Sequence, residues 1–262
     1  MSAVALLANR LPCDESGRGH YALQDISCGM STLHPHSEGA RLATGPPERN
    51  ARAAVLELVA AVVVIAAFLW FGRQLFPGAP LIFASVLLLI TASSHRRVGE
   101  QARDIGFRWD TAAAAGAWLV PVVLVGAAIA LAVGTYLGSL RLPTAAQAAR
   151  SLVQFIVSGL LQQYLLLGFF YRRCIEIVRS PAAAGIVTAI VFAALHVPNG
   201  FLIAVTLGAG LISCAVYRRA PNLYVSGLAH GVLVYVLYEA LPHSITGNMR
   251  VGIEYLQHYG TR

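Results

Sequence analysis

Apolar residues run through this chain in seven long stretches separated by short polar ones. The stretches predict helices near 53–72, 79–94, 112–136, 150–171, 181–197, 200–217 and 222–241. Most approach the roughly 20 residues that a helix needs to cross a bilayer. The second is short for a span, and little more than Val197-Pro198-Asn199-Gly200 separates the fifth from the sixth. Pro198 and Gly200 both interrupt a helix, so a tight hairpin is expected there. Residues 1–50 carry Gly, Ser, Pro, His and Arg without sustained periodicity, and disorder is the expectation for them. The chain then divides into a cytoplasmic tail over 1–50, two helices and a cytoplasmic lead-in over 51–111, a transmembrane core over 112–242 and a C-terminal tail over 243–262.

Composition supports the same picture. Of 262 residues, 57% are hydrophobic and 12% are charged, against about 25% charged in a soluble domain. The expected architecture is therefore all-α, a polytopic membrane bundle of about seven transmembrane helices with the lipid bilayer as its surroundings. The formal charge of +7 could suggest a nucleic-acid partner. The basic residues are all arginines, however, and they sit at the ends of apolar stretches. That placement speaks for membrane topology and against nucleic acid. Fourteen arginines fall on one side of the bundle and five on the other. By the positive-inside rule this predicts a multi-pass protein of the plasma (inner) membrane, with its N-terminus cytoplasmic and its C-terminus external.

Cysteine contributes little. Cys13, Cys28, Cys174 and Cys214 form no CxxC and no disulfide framework. Cys13, Cys28, His34 and His36 match no zinc spacing.

Polar side chains in mid-membrane need a reason. Gln162 and Gln163 lie inside the fourth predicted helix, His196 at the end of the fifth and His230 well inside the seventh. Paired amides can hold helices together by hydrogen bonding. Histidines on two helices can hold a metal or a water, or move a proton. No cofactor motif is present; a divalent metal such as zinc, if the chain holds one, would take His196 and His230 as ligands. Neither a G-x-S-x-G elbow nor an HExxH helix occurs.

The order of these stretches resembles the CPBP family of intramembrane proteases, which includes the CAAX prenyl endopeptidases and bacteriocin-processing or immunity proteins. The resemblance covers roughly residues 94–241. It rests on Gln162-Gln163-Tyr164-Leu165-Leu166-Leu167-Gly168, on Phe192-Ala193-Ala194-Leu195-His196 and on His230-Gly231-Val232-Leu233-Val234. In the family these positions read Glu-Glu-x-x-x-Arg, Phe-x-x-x-His and His-x-x-x-Asn. The resemblance implies a CPBP-type helical bundle whose catalytic positions are Gln162, Gln163, His196 and His230. It also implies water activation by a glutamate and the histidines, and an asparagine that helps to hold the oxyanion. Here both glutamates are glutamines, the arginine is Leu167 and the asparagine is Val234. An amide cannot take the proton that a carboxylate takes.

Three functions follow as expectations. The first is a catalytically weakened or inactive family member, a pseudoenzyme that binds a lipidated or transmembrane peptide in the former active-site cavity. The second is an active CAAX-type endopeptidase using His196 and His230, with Glu239 as the nearest candidate carboxylate. The third is a small transporter.

The arginine asymmetry makes a direct prediction. On intact cells, an impermeant thiol reagent should label a cysteine placed at Arg262 and leave Cys13 unlabelled. The reverse pattern overturns the orientation.

Overall fold

The computed structural model describes residues 47–259, which form helices and turns without a strand. Helix α1 runs over Pro47–Ala67 and continues as a π-helix over Phe68–Gly72. It is followed by α2 (Ala79–Val98) and α3 (Ala112–Tyr136). Helix α4 is a continuous rod of 34 residues, Ala145–Val178. Its middle, Tyr164–Tyr171, is π-helical. Then come α5 (Pro181–Ala194), α6 (Gly200–Arg219), α7 (Leu223–Ala240) and a short α8 (Gly252–Tyr259).

Among the described residues, six helices are long and apolar enough to cross a membrane. The protein is thus an all-helical polytopic membrane bundle. The fifth apolar stretch is helical but has only 14 residues, about 21 Å at 1.5 Å per residue. It ends at Ala194 rather than near 197, because Leu195–Pro198 leave the helix as a turn. Asn199 then caps α6, its side chain accepting from Leu202 N at 3.1 Å. Helix α4 is longer than its apolar stretch at both ends. Thr144 and Gln147 form a capping box at its start. At its other end Arg172 and Arg173 are helical residues with partners, not loop residues.

Large apolar side chains face outward on most of these helices, among them Leu56, Leu81, Leu124, Val153 and Ile190. Apolarity therefore cannot tell the inside of the bundle from the outside. Close approach through small residues does so instead. Helix α4 packs most extensively on α7, with α5 on α6 and α3 on α7 next. At the first crossing Gly159 of α4 meets Gly227 and Gly231 of α7. A Cβ on Gly159 would lie 2.7 Å from Gly227 O, and one on Gly231 would lie 2.5 Å from Ile156 Cα. At the α3 crossing a Cβ on Gly134 would come within 2.2 Å of Ala240 O.

The densest network of charge lies at the arginine-rich end and is paired there. Arg173 is fully buried and bonds Glu100 and Glu176. Arg172 reaches Glu100 at 2.5 Å, and His95 Nδ1 lies 2.7 Å from the same carboxylate. Glu57, inside α1, takes Arg97 at 2.7 Å and Ser94 at 2.6 Å. Burial pushes the Glu100 carboxyl up, but the hydrogen bond to His95 and the charges of Arg172 and Arg173 outweigh it and hold the group at about 2. Glu100 is therefore an anion at any physiological pH, and removing one partner would strand a buried charge, at a cost of about 3–5 kcal/mol.

At the opposite end the segment after α7 folds back over the α5–α6 turn. Asn199 Nδ2 donates to Thr246 O at 2.9 Å and to Arg250 O at 3.0 Å, and Gly252 N donates to Val197 O at 2.9 Å. Gly252 has φ +58°, and a Cβ there would lie 2.4 Å from Leu69 O, so this docking needs glycine.

The glycine crossing is testable by a matched pair. Gly231→Ala should destabilise the purified protein by about 1–3 kcal/mol, the usual cost of overpacking. Gly116→Ala, which meets nothing within 4 Å, should be neutral or slightly stabilising in the same detergent unfolding assay.

Candidate functional site

The α4–α7 crossing fixes the site. Because the two backbones touch at Gly159, Gly227 and Gly231, the next inward side chains on each helix are brought within hydrogen-bonding range. Gln163 is 1% exposed, and its Nε2 lies 3.0 Å from His230 Nδ1. The amide donates, so His230 accepts at Nδ1 and carries its ring proton on Nε2. Gln163 Oε1 is buried with no hydrogen-bond partner.

The other two predicted residues are held differently. Gln162 turns back along its own helix, where its Nε2 donates to Ser158 Oγ at 3.0 Å. His196 lies in the turn after α5, within electrostatic reach of His230. Its Nδ1 donates to Phe192 O at 2.8 Å, and its ring meets the Phe192 ring edge to face at 4.9 Å. That bond places the proton on Nδ1 and leaves Nε2 as the basic atom. The structure thus joins Gln163 to His230 directly, sets His196 nearby and directs Gln162 elsewhere.

The position that aligns with the arginine of the resembled family is apolar here. Leu167 is fully buried in a cluster with Leu166, Tyr171, Phe192 and Leu223. Val234 lies one turn beyond His230 on α7. Glu239 is not part of the site: it lies nine residues past His230, about 13 Å along the helix, and its Oε2 is 3.5 Å from Arg141 Nε.

Among the described residues no group of three or more His, Cys, Asp or Glu could hold a metal ion. A structural or catalytic zinc takes at least three protein ligands. Cys13, Cys28, His34 and His36 fall outside the described residues.

Sequence reasoning missed the polar neighbour of the site. Tyr164, next to Gln163, has its hydroxyl 3.1 Å from His95 Nε2, which links the site helix to the Glu100 and Arg173 cluster. The available signal was Glu57, a carboxylate inside an apolar stretch, which requires a cationic partner.

The family described as "Type II CAAX prenyl endopeptidase Rce1-like" matches residues 144–236, a segment that contains all four predicted site residues. No curated protein and no solved structure matches the chain.

The hydrogen bond between Gln163 and His230 can be measured. Single Gln163→Leu and His230→Leu variants and their double variant should show a coupling of about 0.6 kcal/mol and up to roughly 1.7 kcal/mol. Additive effects would mean that the two side chains do not interact in the membrane.

Proposed function

We propose that this chain, a CAAX protease-like integral membrane protein with an Rce1-like core over residues 144–236, binds a lipidated or transmembrane peptide in its mid-membrane site without turning it over as a carboxylate-equipped enzyme would. The observation that carries this reading is the Gln163–His230 pair at 3.0 Å. A neutral amide occupies the place where a water-activating base would stand, and it uses its donor to hold the histidine. What remains open is Gln163 Oε1, an acceptor buried without a partner. A peptide N–H exposed where a membrane segment unwinds is a donor of the kind such an acceptor takes.

The surroundings agree with binding. Leu167 leaves no cation beside the amides, so the site carries no charge to desolvate when an apolar segment enters. The topology adopted with this reading places the arginine-rich end in the cytoplasm of the plasma (inner) membrane and the C-terminus outside. Fourteen arginines against five support it.

A second reading has one observation of its own. His196 presents an unprotonated Nε2 because Nδ1 donates to Phe192 O, and a neutral imidazole can take a proton from water. Hydrolysis by the histidines alone would rest on that atom.

Purified protein in liposomes, incubated with prenylated and with transmembrane peptides, separates the two. The expected result is peptide retention with no more cleavage than a His196→Ala, His230→Ala double variant shows. Cleavage that vanishes in the double variant would overturn the non-catalytic reading. Gln163→Glu places a carboxylate on His230 and should weaken peptide retention, because the open acceptor becomes a charge.

A further inference from the structure

Away from this site, at the end of the bundle opposite the arginine-rich loops, a second group of polar side chains gathers without being satisfied. Arg141 lies in the connection between α3 and α4. Its backbone N donates to Glu239 O at 2.9 Å, and its Nη2 donates to Leu241 O at 3.2 Å. Its guanidinium sits over the Tyr238 ring at 5.3 Å, and that ring lies 5.2 Å from the His243 ring, tilted by 36°. His243 in turn lies in the field of Arg141, Glu239 and Arg250. The α3–α4 connection, the last turn of α7 and the C-terminal segment thus converge on one spot.

Three atoms there are buried with no hydrogen-bond partner: Arg141 Nε, His243 Nε2 and Arg250 Nη1. Glu239 approaches Arg141 Nε at 3.5 Å without satisfying it. Among the described residues Arg250 forms no ion pair. Two guanidiniums and one carboxylate thus act on His243, and each guanidinium keeps an unpartnered nitrogen, so the partly buried positive charge there exceeds its counter-charge. Burial, with Arg141 and Arg250 against Glu239, holds His243 below its ordinary value, so its ring is neutral at pH 7. A neutral ring adds a hydrogen bond without adding to the charge.

We propose that Arg141, His243 and Arg250 form an anion site that takes the phosphate of an acidic phospholipid. The anion chemistry follows from the two forked guanidiniums, which suit phosphate oxygens. The lipid source follows from position. Arg141 joins the ends of two spans and His243 follows the end of a third, so the group stands at headgroup depth, where a phosphodiester is always at hand. Basic pockets among membrane helices hold headgroups in this way. Because Asn199 ties the Arg250 backbone to the turn that follows His196, an occupied site would also fasten the C-terminal segment over the α5–α6 turn. The inference is independent of the peptide-binding reading.

The test uses the full chain in detergent, with bound lipid read by native mass spectrometry and thermal unfolding read alongside. Phosphatidylglycerol should be retained and should raise the melting temperature, whereas phosphatidylcholine should be retained less. Arg250→Gln and Arg141→Gln should each weaken phosphatidylglycerol retention about tenfold, roughly one charge-assisted hydrogen bond. Arg219→Gln at the other end of the bundle should not change it. Arg250→Lys, which keeps the charge and loses the fork, should give an intermediate loss and guards against a folding defect in the glutamine variants. Wild-type retention in both glutamine variants would overturn the proposal, as would an equal loss in Arg219→Gln. Displacement of the lipid by inorganic phosphate at equal concentration would show a free-anion site instead. Tighter capture of a peptide carboxylate than of phosphatidylglycerol would also overturn it.

Discussion

The contact on which the site depends is the close crossing of α4 and α7 at Gly159, Gly227 and Gly231. In a bilayer the lipid is as apolar as the core, so leucine-rich faces gain little by meeting each other. Backbones that touch gain dispersion contacts lipid cannot match, and only glycine permits it at these distances. The same crossing sets the reach between side chains one turn further on. Gln163 and His230 meet at 3.0 Å because the helices that carry them cannot move apart without opening the glycine seam.

Charge follows a complementary rule. Arg173 is buried at the arginine-rich end, Glu57, Glu100 and Glu176 are partly buried there, and each has an oppositely charged partner in contact. Ion pairs of this kind contribute little net stability, but they tolerate no deletion of one member. They tie α1, α2, the loop after α2 and the last turns of α4 together. Tyr164 connects that assembly to the polar site through His95. One end of α4 is thus fixed by charge and its middle by glycine.

Much of this was legible in the sequence. Long apolar stretches gave the spans, since hydrophobic length is a direct requirement of the bilayer. Gln162, Gln163, His196 and His230 stood out as candidates because amides and imidazoles in mid-membrane are expensive, and of these the structure bonds Gln163 to His230. What was not legible depended on partners distant along the chain. Arg172 and Arg173 read as loop arginines, yet they belong to α4, because Glu100 and Glu176 compensate them. The fifth helix read as a span, yet it stops at Ala194, because Asn199 ties the following turn to the C-terminal segment. That segment read as a tail for the same reason: its docking bonds go to backbone carbonyls, which no side-chain pattern reveals. Gln162 and Gln163 look equivalent in sequence, and only the crossing geometry sends one to His230 and the other to Ser158.

The neutrality of the site gains meaning from the charged cluster beside it. A chain that buries Arg173 completely is able to hold charge in its interior when each ion has a partner. The apolar content of the polar site is therefore no general consequence of membrane burial. Leu167 packs in the core cluster and Gln163 bonds His230, so the two positions at which the family carries a carboxylate and its cation are both neutral. Either change alone would leave an unpaired ion in the bilayer. Changed together, they leave no stranded charge at this site, where Gln163 Oε1 stands as an open acceptor.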